Sequence, residues 1–250
     1  MTTKPTIKPL SNRRMRQQVL KIGGRTVPVT VTTNPRARKL IVRVHPATGE
    51  VAVVAPSTRA LERAMDFARS ETDWISDRLA AVPTPVPLEP GDTVPFRGRL
   101  HTVRHEPQER GGVWLDAGPR KAWIAVAGRR EHVPRRVRDW LRAQARTEIN
   151  EAVGQFANAL GLKPTRIALR DPSTRWGSCS TTGVLSFSWR LILAPPYVLN
   201  YVAAHEVAHL VHMNHGPRFW ALVEHLVGDT RRPREWLRRE GSGLHRYGLV

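Results

Sequence analysis

The stretch HEVAHLVHMNHGPRFW, residues 205–220, constrains the fold more than any other part of the chain. His205 and His209 are four apart, with Glu206 beside the first. On a helix such a pair shares one face, one turn apart. The preceding run, LAPPYVLNYVAAHEVAHLVHM, suits a helix, with Pro195 or Pro196 fitted to its first turn. The residues after His212 must end that helix: Asn214 tolerates a left-handed conformation, and Gly216 and Pro217 prevent the helix from resuming in register. The chain must therefore build a helix, break it and turn back, with histidines on both sides of the break.

His205, Glu206 and His209 spell H-E-x-x-H, a spacing that lets two imidazoles share one zinc ion. Neutral nitrogens hold zinc at about 2.0–2.1 Å and leave a water on it, whose pKa falls toward roughly 7. Glu206, turned about 100° from His205 around the helix axis, reaches that water rather than the metal and fits the role of general base. A third ligand has two candidates. His212 lies about 10.5 Å beyond His205 along a continuing helix, too far for an ion held between His205 and His209. His215 reaches the ion if the helix ends first, so His215 is the expected ligand, and His212 is expected to cap the helix end or support a ligand. A purely structural zinc site is the rival, but such sites are rich in thiolates, and Cys179 is the one cysteine.

Composition sets the surroundings. With 250 residues, 40% of them apolar, the chain can bury a sizeable core. It shows no secretory leader, no eighteen-residue apolar run and no possibility of an internal disulfide, so a cytoplasmic protein is expected. The net charge of +19 invites a nucleic-acid partner. It is spread, however: 15 basic against 7 acidic residues over 1–90, 14 against 8 over 91–165, and 11 against 6 over 166–250. A solvated arginine-rich surface explains such a distribution equally well.

An α+β chain is expected. A basic tail (1–17) leads into a β-rich part (18–130) with one helix, then a catalytic part (131–250). Alternating stretches VPVTV (27–31), KLIVRVH (39–45) and EVAVVAP (50–56) read as short antiparallel strands. A helix begins after Ser57 or Thr58 and stops at Ala81, and VPTPVPLEPGD continues as an extended connector. More strands are expected from Thr93 to Val126, a long helix over 133–160, strands at 166–170 and 184–191, the histidine helix, and short helices near 217–227 and 233–240.

Four separated motifs, RWGSCS (175–180), WRLILAPP (189–196), HEVAHLVHMNH (205–215) and FW (219–220), resemble in type and order those of the YgjP-like metallopeptidases, zincin-like proteins related to the SprT and Spartan proteases. The resemblance spans about 37–244. It implies a zincin-like fold, a zinc site of His205, His209 and His215, and a catalytic Glu206. Two departures stand out. Ser188 replaces an asparagine frequent before WRL, and His212 replaces the glycine of the metzincin pattern H-E-x-x-H-x-x-G-x-x-H, so the turn is expected at Met213 and Asn214.

Other residues carry weaker signals. Cys179 reads as a packed hydrophobe rather than a ligand or nucleophile. Trp176 and Trp189 suit a peptide cleft or the core equally. Ser178 and its small neighbours suggest an edge able to pair with an extended substrate, and Arg190 and Tyr197 are candidates for stabilising an oxyanion. The leading expectation is a zinc-dependent peptidase acting on protein or peptide substrates. The alternatives are a DNA-associated zinc protein and a hydrolase of non-peptide amides.

Overall fold

Alternation of apolar and polar residues builds three separate sheets. The computed structural model of the chain describes residues 16–45, 48–118, 121–172 and 174–248, which form two compact units that divide between Val82 and Pro83. Of the basic tail expected over 1–17, all but Arg16 and Gln17 lies outside the described residues.

In the first unit, β1 (Arg16–Ile22), β2 (Arg25–Thr33), β3 (Ile41–Val44) and β4 (Val51–Ala55) form a sheet in the order β1-β2-β4-β3. Gly23 and Gly24, both at positive φ, make the tight β1–β2 turn. Pairing of β2 with β4 is parallel, not the antiparallel arrangement expected, because β3 crosses to the far side of β4. Val29, Val31, Val51, Val53 and Ala55 point inward and are covered by Met65 and Ala68 of α1 (Leu61–Ser70) and Ile75 of α2 (Thr72–Ala80). The one helix expected there is thus two, broken at Glu71, whose backbone leaves the helical region.

The second unit starts earlier than the boundary expected at residue 130. Its first sheet holds β5 (Thr93–Phe96), β6 (Arg99–Glu106), β7 (Val113–Ala117) and β8 (Ala122–Ala127) in the order β5-β6-β8-β7. Val94, Phe96, Val103, Ile124 and Val126 share one core with the 27-residue helix α3 (Val133–Ala159). That shared core ties the sheet to the catalytic part. The helix contributes Val133, Val137, Leu141, Ala145, Ile149, Val153 and Phe156, a stripe at helical spacing that ends before Gly161 at φ 64°. The proline connector is not free along its length: Leu88 is fully buried, and Val86 bridges to Tyr247, donating its N–H to Arg246 and accepting from Gly248.

The third sheet holds β9 (Arg166–Arg170), β10 (Gly177–Cys179) and β11 (Val184–Ser188), with β11 central, parallel to β9 and antiparallel to β10. The strand expected to reach 191 stops at Ser188, whose hydroxyl accepts the Arg190 N–H (3.3 Å) and caps a 3₁₀ turn over Trp189–Leu193. Then come α4 (Pro196–Ala208), α5 (Pro217–Val227) and α6 (Arg231–Glu240). Helix α4 packs against α3, α5, α6 and β10 and is buried on nearly every side. Among the described residues no helix is long and apolar enough to cross a membrane. The architecture is α+β, as expected.

Candidate metal centre

Helix α4 stops sooner than the expected turn at Met213 and Asn214. It ends at Ala208, with His209 as its cap. The chain then tightens: Leu210 donates to Val207 O (2.9 Å), and Val211 and His212 both donate to Ala208 O (3.1 and 2.9 Å). The His209 side chain holds this turn. Its Nδ1 lies 3.0 Å from the carbonyl oxygen of His212. A carbonyl only accepts, so Nδ1 carries the proton and Nε2 presents its lone pair. His212 thus supports a ligand through its backbone, and its ring stays outside the cluster.

The break brings His215 back onto His205. Their Nε2 atoms are 3.1 Å apart, and one nitrogen from each of His205, His209 and His215 lies within 4.8 Å of the others. Two donors about 2.0–2.1 Å from a tetrahedral ion would be roughly 3.3 Å apart, so the trio fits a metal ion. Burial pushes the His205 pKa down to about 4, helped by its two histidine neighbours, and burial also lowers that of His209. Both rings are therefore neutral near pH 7 and able to donate. Phe219, fully buried on α5, backs all three rings at centroid distances of 4.9, 4.5 and 4.7 Å, and Trp220 stacks on His215 at 5.6 Å.

Glu206 points away from the trio's shared face, against the edge strand β10. A methyl group on Gly177 would lie 2.5 Å from its Oε1, so only glycine lets strand and carboxylate meet. Glu206 is 5% exposed, its Oε2 has no partner among the described residues, and burial raises its pKa to about 7 against the opposing charge of Arg175. Taken together, the site offers three converging ring nitrogens and an uncommitted buried carboxyl poised to exchange a proton at neutral pH.

The family profile described as YgjP-like, metallopeptidase domain, matches residues 38–240. The chain belongs to the YgjP-like metallopeptidase family. YgjP-like membership places it among metal-dependent peptidases, hydrolases of protein or peptide substrates. A solved structure titled as the metallopeptidase zymogen of Pyrococcus abyssi abylysin is also similar, 21% identical over 40% of this chain and 99% of that one, at a TM-score of 0.34. No curated protein matches.

The remaining expectations divide. Ser178 lies on the edge strand, as its small neighbours suggested. Cys179 is half-buried against the core, its thiol pKa raised first by burial and then by Glu206, in keeping with a packed hydrophobe. Trp189 is core, and Trp176 stacks on His245 at 5.1 Å. Arg190 is no oxyanion donor: 3% exposed, its guanidinium is held by both Asp171 oxygens (2.7 and 3.1 Å) and by the carbonyls of Leu244 and Tyr247. The Tyr197 ring lies under Arg232, in a hollow with Phe156 and Leu226, and Ser188 is fully buried as a cap. Sequence reasoning missed Gly177, Phe219 and Arg175. All three sit in the family-like motifs, which were the available signal.

Proposed function

We propose that the chain is a zinc-dependent peptidase in which His205, His209 and His215 hold the ion and Glu206 is the general base. The convergence of three ring nitrogens beside a buried, unpartnered Glu206 Oε2 carries this reading. Bound zinc supplies Lewis acidity and a water that ionises near neutral pH. Glu206 takes up a proton at Oε2 as water attacks the peptide carbonyl and passes it to the leaving amine, a task matched to a pKa of about 7. His209 is held in its donating tautomer by the His212 carbonyl. Among the described residues β10 pairs with β11 alone, so its other edge is available to align an extended peptide across Glu206. Cleavage within chains, and action in the cytoplasm, belong to the same proposal. The charge of +19 is evenly spread and supports no second reading.

Zinc content after gel filtration, with mass spectrometry of products from a denatured protein mixture, tests the proposal. Glu206→Gln is expected to retain zinc and lose hydrolysis, and His209→Ala to lose both. Wild-type activity in the Glu206 variant would end the general-base account.

A further inference from the structure

Behind the edge strand lies a hollow of about 420 Å³ lined by Arg170, Asp171, Pro172, Arg175, Gly177, Ser178 and Ser186. Both Asp171 oxygens are engaged by the buried Arg190, so Asp171 does not neutralise the hollow. The side chains of Arg170 and Arg175 have no ion pair or hydrogen bond among the described residues. Two arginines without an ion pair and two serines thus line one space, in which Asp171 is already paired to Arg190 and the remaining acid near Arg175 is Glu206, on the other side of the strand. An arginine fork matches a carboxylate. The pleat relates this space to the site: on β10, Gly177 faces Glu206 and Ser178, its neighbour, faces the opposite side, where it pairs across the sheet with Ser186. A peptide added alongside β10 alternates in the same way, so a residue next to the one facing Glu206 meets the arginines.

We infer that this hollow is a carboxylate-binding subsite, so that the substrates are peptide segments with an acidic group next to the scissile residue. The inference rests on the peptidase reading. The carboxylate comes either from an Asp or Glu side chain or from the end of a peptide.

The experiment uses the full zinc-loaded chain. Cleavage sites are mapped in a denatured protein mixture, then kcat/KM is measured on peptides matched except for Glu against Gln beside the cut, each as free acid and as C-terminal amide. Wild type should favour Glu by about tenfold or more, and R170Q/R175Q should bring the ratio toward one. Preference for the free acid over the amide, lost in the same variant, identifies a terminal carboxylate instead. Equal rates on all four peptides, or a preference that survives R170Q/R175Q, would overturn the subsite while leaving the peptidase standing. If no peptide is cut, the peptidase reading has failed, and fluorescence anisotropy of the labelled Glu and Gln peptides on E206Q, with and without the arginine substitutions, decides the subsite separately. Arginine-dependent binding of a short duplex DNA without acidic-peptide preference would replace it with a nucleic-acid groove. Circular dichroism of each variant guards against misfolding.

Discussion

At the scale of single residues, the site depends on what has been left out as much as on what is present. Gly177 has no side chain where Glu206 needs room, and the nearest atoms belong to the carboxylate itself. Gly177→Ala should push Glu206 out of line and lower kcat/KM by about 100-fold with zinc content unchanged, as steady-state kinetics and metal analysis would show. Retained activity would mean that the strand yields instead. Burial of Glu206 also has a cost in stability. Folded, it keeps its proton up to about pH 7, whereas the unfolded chain releases it near the usual 4.5. Between those values the folded state holds a proton that the unfolded state has lost, so stability falls as pH rises through the window and stays lowered above it. His205 runs the other way: with its pKa lowered from 6.5 to about 4, its contribution is lost as pH falls through that range. Glu206→Gln in the metal-free protein should therefore raise stability above about pH 7 by at most on the order of 3 kcal/mol, a gain that disappears near pH 4 in urea unfolding.

Among elements, the helix break matters most, and it was only partly legible. Helical rise and the breakers Asn214, Gly216 and Pro217 together favoured His215 over His212, because they announce that the helix cannot continue. The stop at Ala208 was hidden, since Leu210 and Met213 favour helix and the hydrogen bond that closes the turn, from the His209 ring to the His212 carbonyl, depends on side-chain placement that apolar spacing does not reveal. β10 was read as an edge near Ser178 but given no bounds, for a different reason: three residues of Gly, Ser and Cys are too short and too weakly apolar to show alternation. β1 was obscured by a polar start, RQQ. The α3 stripe, by contrast, spans so many turns that its bounds were read almost to the residue. Helix α5 acts on the centre through Phe219, the fully buried ring that backs all three histidines. Phe219→Ala should cost about 3–5 kcal/mol in urea unfolding and weaken zinc binding in a competition titration, with Phe219→Leu milder in both. Normal zinc affinity in the alanine variant would show that the rings hold their places unaided.

For the molecule as a whole, the two units have separate cores, and every residue of the candidate centre belongs to the second. Sequence placed the division some fifty residues late because strands in 93–127 look like those of 25–55, and periodicity does not reveal which core a strand serves. Zinc stabilises whatever binds it, by about 4 kcal/mol at a thousandfold excess over Kd. Amide exchange should accordingly slow across 196–220 when zinc is added and return on chelation, while peptides of β1 to β4 keep their rates. Slowing confined to the first unit would place the ion elsewhere. The bridge from Val86 to Tyr247, with Gly248 donating back to Val86, has an engineering consequence. Entry to and exit from the second unit lie side by side, so a short linker would close its backbone into a ring. Such cyclisation would deprive the denatured chain of freedom while leaving the folded one unstrained.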